Sequence, residues 1–241
     1  MNHSLASQAA THPGAVRTRN EDALVDRPDI GLWAVADGAG GHGSGDVASN
    51  AIAQSLLDLP VGLSAAEMLA QVRLRLMGVH GALQEQAAAQ GGGHGEGRII
   101  ASTVVVLLAR GGHYACLWAG DSRIYLWRGG ALSRVTRDHS LVQEMVDRGE
   151  IDEAAAESHP QANIITRAIG AMGALELDKL SSRVQAGDLF LLCSDGLFKE
   201  LAEAEIAAML TAGAGPEALL DAALARGARD NVTAVVVRAG P

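Results

Sequence analysis

The sequence predicts an α/β (α+β) layered sandwich, in which two mainly antiparallel β-sheets pack face to face and are flanked by helices. Short apolar runs alternate with segments of helical composition along 241 residues, of which 48% are hydrophobic. Very short links, Gly111-Gly112 and Gly120-Asp121-Ser122, join the apolar runs between residues 102 and 127. Such links allow hairpins but no helical crossovers, so the sheets are antiparallel and the longer insertions supply helices to cover them.

The predicted strands are short runs rich in Val, Ile, Leu or aromatic residues. In chain order they lie at 31–36, 102–109, 113–119, 123–127, 188–193 and 231–238. The predicted helices lie at 45–57, 64–89, 140–149, 200–210 and 216–226. Ser64 and Glu67 have the spacing of a capping box, and Pro216 suits the first position of a helix. No Pro-rich linker divides the chain, so we expect one domain over residues 1–241.

Composition and charge exclude several classes of protein. A net charge of −9 without any cluster of Lys and Arg argues against nucleic acid as a partner. The longest apolar stretch, 99–109, is shorter than the roughly 20 residues that span a membrane. Residues 1–13 lack the basic start and apolar core of a secretory signal, which predicts a cytoplasmic protein. Cys116 and Cys193 lie in apolar runs and are expected to be buried, reduced thiols.

Four aspartates share one pattern, in which a strand or the start of one meets an aspartate beside a residue that turns easily. They are Asp37, Asp121, Asp195 and Asp230. One such aspartate usually marks only a turn. Strands of one sheet system end at common edges, however, so the four carboxylates can converge although they lie far apart in sequence. Converging carboxylates raise one another's pKa unless a divalent cation compensates their charge.

Oxygen ligands of this kind suit Mg²⁺ or Mn²⁺. The eight histidines are scattered, and neither HxxxH nor CxxC spacing occurs, so a zinc site has no support. Two ions about 3.5 to 4 Å apart would lower the pKa of a shared water toward neutrality and make it a nucleophile. A phosphate ester is the natural electrophile, because the ions and an arginine can neutralise its charge.

A series of motifs carries a family resemblance over nearly the whole chain. In order, they are 17–22 (RTRNED), 35–42 (VADGAGGH), 101–103 (AST), 120–123 (GDSR), 136–140 (TRDHS), 159–160 (HP), 163–170 (NIITRAIG), 194–196 (SDG) and 229–233 (RDNVT). With these motifs the chain resembles the metal-dependent protein phosphatases, the type 2C serine/threonine phosphatases, and especially their compact bacterial members.

The resemblance implies a serine/threonine protein phosphatase with two Mn²⁺ or Mg²⁺ ions. Asp37 would bridge both ions, the carbonyl of Gly38 would bind one, and Asp195 and Asp230 would complete the other. Asp121 and Asp195 would hold a weaker third ion. The implied partners are phosphoproteins, particularly the substrates of a cognate serine/threonine kinase, and we expect a monomer.

Further residues receive roles from the same resemblance. Arg17 would bind the substrate phosphate, and Glu21 and Asp22 would hold metal-bound waters. Ala39 stands where animal relatives carry a histidine proposed as general acid, so His42 is a tentative proton donor. Residues 140–170, here called the flap, would lie beside the site.

Parts of the sequence are also compatible with three other functions. Residues 38–43 also satisfy the dinucleotide pattern GxGxxG, but the charge of Asp37 beside the first glycine would oppose a pyrophosphate. A catalytically weak phosphatase-like module that binds phosphoproteins is the main alternative, and the presence of Arg17 and Asp37 speaks against it. A metal-dependent nuclease or phosphodiesterase would need a basic groove, which the net charge disfavours.

Overall fold

Eleven strands form the centre of the molecule in the computed structural model, which describes residues 4–39, 44–90 and 99–240. They are β1 (Leu5–His12), β2 (Asp22–Arg27), β3 (Leu32–Ala39), β4 (Ala101–Ser102), β5 (Val104–Arg110), β6 (His113–Ala119), β7 (Arg123–Arg128), β8 (Ala131–Arg134), β9 (Asp178–Arg183), β10 (Leu189–Cys193) and β11 (Val232–Ala239). The first sheet has the order β1-β11-β10-β7-β8, and the second has the order β2-β3-β5-β6-β9, with β4 paired to β3. All of these pairings are antiparallel.

Helices cover the outer face of each sheet. The outer layers contain α1 (Gly45–Leu57), α2 (Ala65–Gln90), α5 (Asp195–Phe198), α6 (Glu203–Thr211) and α7 (Pro216–Ala225), whereas α3 (Leu141–Asp147) and α4 (Glu153–Glu157) belong to the flap. One core joins α1 and α2 to the second sheet, and another joins α5, α6 and α7 to the first sheet. This arrangement confirms the predicted sandwich of two antiparallel sheets between helical layers.

The third core lies between the two sheets. Strand β3 shows how it forms, because successive side chains of a strand point to opposite faces. Trp33 and Val35 pack between the sheets, whereas Leu32, Ala34 and Ala36 face the helical layer of α1 and α2. A strand that is buried on both faces has apolar residues at successive positions. This unbroken apolar run is the feature from which the strand was predicted.

Two helix starts confirm predictions made from single residues. The backbone N–H of Ser64 donates to Glu67 Oε2 at 2.8 Å, and the N–H of Glu67 donates to Ser64 Oγ at 3.3 Å. These reciprocal bonds form the predicted capping box at the start of α2. Pro216 begins α7, where its missing N–H removes no helical hydrogen bond.

The sequence did not predict β1, β8 and β9, and it left β2 only as a short apolar segment after Asp22. Strands β1, β8 and β9 lie at sheet edges and carry many exposed polar residues, so their apolar pattern is weak. Helices α4 and α5 were missed because five and four residues show no helical period. The flap helix predicted at 140–149 is confirmed as the shorter α3.

Both cysteines are buried free thiols, as predicted. Burial raises the pKa of each thiol, so both stay protonated at neutral pH. Among the helices of the described residues, none has the length and apolar character needed to cross a membrane.

Strand register brings the predicted site to one end of the sandwich. In the first sheet, Cys193 at the end of β10 lies opposite Ala234 near the start of β11 and opposite Arg123 at the start of β7. In the second sheet, Asp22 at the start of β2 lies opposite Asp37 near the end of β3. The acidic residues that follow or begin these strands therefore share one edge.

Candidate metal centre

Asp37 is held in place by the residues beside β4. Its backbone N–H donates to Thr103 Oγ1 at 3.2 Å, and its carbonyl accepts from the Thr103 N–H and from Ser102 Oγ, both at 2.9 Å. The motif 101–103 thus fixes the backbone on which the Asp37 carboxylate stands.

The carboxyl group of Asp37 has a pKa well above its usual range. Burial is the largest cause, and the negative charges of Asp22, Asp195, Asp121 and Asp230 add to it. The structure therefore brings together the four aspartates predicted from the strand-end pattern, together with Asp22.

Asp22 connects the two sheets. Its carboxylate is 7% exposed, and its Oδ2 atom accepts from Ser194 Oγ and from Thr233 Oγ1, both at 2.7 Å. Its Oδ1 atom is buried and has no hydrogen-bond partner among the described residues. Burial raises the pKa of Asp22 to about 7, since the two hydroxyl bonds only partly oppose burial and the charges of Asp195 and Asp230 reinforce it.

Asp121 is a second buried carboxylate with an unsatisfied oxygen. It is 6% exposed, and no group in the described part of the chain bonds its Oδ1 atom. Burial raises its pKa to about 7, with further contributions from the charges of Asp195 and Asp138. The turn that carries Asp121 needs Gly120, whose φ is +112° and whose Cβ, if present, would lie 2.5 Å from Thr103 Cβ.

Asp195 and Asp230 each pair with a cation. Arg17 Nη2 lies 3.0 Å from Asp230 Oδ2, with side chains 56% and 46% exposed. Lys199 Nζ lies 2.5 Å from Asp195 Oδ2. Burial lowers the pKa of Lys199, but attraction by Asp195, Asp121 and Asp37 outweighs burial and raises the pKa overall. The sequence reasoning missed Lys199, although its position four residues after Asp195 was a usable signal.

Asn231 fixes the segment that carries Arg17 and Glu21. Its Nδ2 donates to the carbonyls of Pro13 and Arg19, both at 2.9 Å, and its Oδ1 accepts from the Glu21 N–H at 2.8 Å. The side chain is buried at 6% exposure. Asn231 belongs to the motif 229–233, yet the sequence assigned it no role, because its partners lie more than 200 residues away.

Gly38 lies against the start of α1. Its N–H donates to the Glu21 carbonyl at 3.1 Å, and a Cβ atom at Gly38 would lie only 2.3 Å from the Gly45 carbonyl oxygen. The close approach explains why the residue after Asp37 must be glycine. The other nearby prediction, His42 as proton donor, lies outside the described residues.

The donor set fits hard divalent cations. Oxygen atoms of Asp37, Asp22 and Asp121 are gathered at raised pKa with two buried oxygens unbonded, and a divalent cation would compensate this charge. Within residues 4–39, 44–90 and 99–240, no three acidic, His or Cys side chains form a ready-made metal site by themselves. Two of the predicted ligands, Asp195 and Asp230, instead pair with Lys199 and Arg17 of the chain.

The base of the flap is attached to the same end of the molecule. Ser140 forms a bridge with Ile165, and Ile169 forms one with Ser102 of β4. Asn163 Oδ1 accepts from Lys199 Nζ at 2.8 Å, so the flap contacts the acidic cluster through a lysine.

A sandwich of two antiparallel sheets with oxygen donors at one end defines the class of metal-dependent phosphatase folds that the motifs resemble. The family model described as Protein phosphatase 2C matches residues 15–218. The chain belongs to the protein phosphatase 2C family, which confirms the resemblance.

Three relatives illustrate the similarity. The serine/threonine protein phosphatase PstP of Mycobacterium tuberculosis is 34% identical over 231 residues, which are 95% of this chain and 44% of that protein. The chain thus spans less than half the length of this curated relative. The structure of PppA, a key regulatory component of T6SS in Pseudomonas aeruginosa, has a TM-score of 0.87 at 41% identity and covers 98% of this chain and 97% of that chain. The PstP catalytic domain in complex with 2 manganese ions has a TM-score of 0.82 at 32% identity, with 98% and 99% covered.

Proposed function

We propose that the protein is a metal-dependent serine/threonine protein phosphatase that hydrolyses phosphomonoesters of phosphoproteins. The observation that carries this proposal is the gathering of Asp37, Asp22 and Asp121 at strongly raised pKa beside an exposed arginine, Arg17. Such a cluster is costly to keep buried without a cation.

Two Mn²⁺ or Mg²⁺ ions would be held by the carboxylates of Asp37, Asp195 and Asp230 and by the carbonyl of Gly38. When bound, such ions make water a nucleophile near neutral pH and neutralise phosphate charge. The family membership supports this metal dependence, and so does the manganese complex of the PstP catalytic domain. Asp22 would orient water at the inner end of the site through its unbonded Oδ1 atom.

Arg17 would bind the phosphate of the substrate. Its ion pair with Asp230 is exposed, and pairs of this kind contribute only about 0 to 1 kcal/mol. The guanidinium can therefore leave Asp230 at little cost and bind two phosphate oxygens in its place. The hydrogen bonds of Asn231 hold the segment 13–21 in a position from which Arg17 can bind the phosphate oxygens.

The proposed partners follow from this activity. Phosphoproteins, including substrates of a cognate serine/threonine kinase, would reach the site beside the flap at 140–170. We further propose that residues 1–241 act as a single domain, as a monomer in the cytoplasm. Phosphoproteomics of cells with and without the protein would identify the substrates, and the T6SS role of the relative PppA gives one pathway in which to look first.

The proposal is tested with p-nitrophenyl phosphate and a phosphothreonine peptide, with Mn²⁺ or with a chelator. Turnover should require the metal, and Asp37→Asn should lower kcat by more than about 100-fold, because even residues that only support metal ligands cost 10- to 100-fold. Asp221→Asn is the matched control, since Asp221 is exposed on α7 in the outer helical layer. Unchanged turnover in Asp37→Asn would sink the mechanism. Peptide binding without metal-dependent turnover would favour the phosphoprotein-binding module.

A further inference from the structure

Lys199 joins the acidic cluster to the flap. It follows α5, and its side chain is 39% exposed. Its ammonium group donates to Asp195 Oδ2 at 2.5 Å and to Asn163 Oδ1 at 2.8 Å. One of these partners is a predicted metal ligand, and the other belongs to the flap.

This ammonium group bonds one of the two carboxylates that are predicted to hold a third ion, and it is attracted by the other. The family resemblance assigns a weak third ion to Asp121 and Asp195, the same pair of carboxylates whose charges act on Lys199. We propose, on the basis of the proposed phosphatase function, that the Lys199 ammonium group takes the place of that third ion and fastens the flap to the site through Asn163.

Lys199 compensates negative charge at this corner of the site. Asp121 is buried beside Asp195 with its Oδ1 atom unbonded, so this corner of the site carries excess negative charge. Lys199 supplies a permanent positive charge there and occupies Asp195 Oδ2. The other oxygen of Asp195 remains the atom through which this residue can serve the main pair of ions.

Repulsion then disfavours an additional divalent ion. The ammonium group and a divalent ion are both positive, so at this short range each weakens the binding of the other. An ion between Asp121 and Asp195 would also compete with the ammonium for Asp195 Oδ2. The lysine and the third ion are therefore alternatives, and the chain carries the lysine.

Lys199 also fastens the flap to the site. Asn163 lies in the returning half of the flap, close to Ile164, whose carbonyl accepts from the Leu141 N–H at 2.9 Å, and to Thr166, whose N–H donates to the His139 carbonyl at 2.8 Å. Lys199 adds the contact that joins this returning segment to α5 and Asp195. The position of the flap is thereby coupled to the charge of the site.

Binding of Mn²⁺ alone tests the first half. Free Mn²⁺ is followed by electron paramagnetic resonance up to millimolar concentrations for the parent, Lys199→Met and Lys199→Arg. Lys199→Met keeps the apolar stem and removes the charge, so it should bind one additional weak ion per chain. Lys199→Arg keeps the charge and should match the parent. Lys179→Met is the control, because Lys179 is an exposed residue of β9.

The outcomes separate this inference from the proposed function. A weak third ion already present in the parent, or no additional ion in Lys199→Met, would overturn the role of Lys199 while leaving the phosphatase proposal intact. A parent protein that binds no Mn²⁺ at all would overturn both.

Amide hydrogen exchange tests the second half. Residues 161–167 should exchange several-fold faster in Lys199→Met than in the parent, with Lys199→Arg near the parent and Lys179→Met unchanged. Equal exchange in Lys199→Met and the parent would show that the lysine does not fasten the flap.

Discussion

A single buried amide, Asn231, organises the approach to the site. It satisfies two carbonyl groups and one N–H of the segment 13–21 at distances of 2.8 to 2.9 Å. Each hydrogen bond of this kind contributes about 1 kcal/mol, and a buried group left unsatisfied costs more. The segment carries Arg17, so the position of the side chain that is proposed to bind phosphate depends on this amide.

Replacement of Asn231 by alanine should therefore affect both stability and substrate binding. We expect Asn231→Ala to lower the free energy of unfolding by about 1 to 3 kcal/mol and to raise KM for a phosphopeptide more than it lowers kcat. Urea denaturation and steady-state kinetics measure the two effects. Asn50→Ala is the control, because Asn50 is exposed on α1 and its Nδ2 donates to the Asp46 carbonyl of the same helix. Equal stability of the two variants would contradict the anchoring role.

At the scale of elements, the junction of β3 with α1 is closely packed. Gly38 and Gly45 approach backbone to backbone, and a Cβ atom on Gly45 would lie 2.5 Å from the Gly38 carbonyl oxygen and 3.0 Å from Glu21 Oε2. The start of α1 therefore lies directly against the Gly38 carbonyl, which is proposed to bind metal. Neither element can move away without disturbing the other.

A pair of glycine substitutions tests this junction. Gly45→Ala should lower the free energy of unfolding by about 1 to 3 kcal/mol and weaken Mn²⁺ binding, because the added methyl group displaces Gly38. Gly78→Ala should instead raise stability by about 0.5 to 1 kcal/mol, because Gly78 lies inside α2 and its added Cβ would meet nothing within 4 Å. Thermal melts and Mn²⁺ titrations would measure both. A stable Gly45→Ala with normal Mn²⁺ affinity would refute the tight junction.

The sequence predicted the strands that are buried on both faces and missed strands that lie at the sheet edges. Strands β3, β5 and β10 each contain an unbroken run of at least five apolar residues, which made them recognisable in the sequence. Strand β9 reads DKLSSR and is mostly exposed, because only one of its edges pairs and it lies at the end of its sheet. Its position is set by pairing with β6, a tertiary contact that no local pattern reveals.

At the scale of the whole molecule, the site lies where both sheets meet. Asp22 from the second sheet accepts bonds from Ser194 and Thr233 of the first, so the carboxylate cluster also joins the two halves of the sandwich. Charge in this cluster therefore acts on the stability of the entire fold.

The raised pKa values determine whether the free energy of unfolding rises or falls with pH. Asp22 and Asp121 have a pKa of about 7 in the folded chain against 3.8 ordinarily, so the folded state binds more protons between these values. In the presence of a chelator, the free energy of unfolding should fall as pH rises from about 4 to 7, by on the order of a few kcal/mol.

Saturating Mn²⁺ should reduce this loss and raise the melting temperature most at the upper end of the range. Urea denaturation at several pH values, with Mn²⁺ and with chelator, measures both effects. Stability that rises with pH in the chelated protein would contradict the buried, uncompensated carboxylates.

The convergence of Asp37, Asp121, Asp195 and Asp230 could be predicted because strands end at shared edges. Of the cations beside them, Lys199 left a local signal in its spacing of four residues from Asp195, whereas the pairing of Arg17 with Asp230 left none. Whether Arg17 contacts Asp230, and whether Lys199 reaches both Asp195 and Asn163, depends on how loops and side chains fold back across the edge. Sequence spacing restricts such contacts only within a helix turn.

Residues from the two ends of the described chain build this site, since Thr233 bonds Asp22 across a separation of 211 residues and Asp230 pairs with Arg17 across 213. A ribosome must therefore release the segment around Asp230 before the acidic cluster can close. During synthesis the growing polypeptide can fold its β5-β6 hairpin early, but it cannot hold ions in the manner proposed. Under the proposed function, a growing chain that lacks residues 230–233 would have no complete acidic cluster and should not dephosphorylate a substrate.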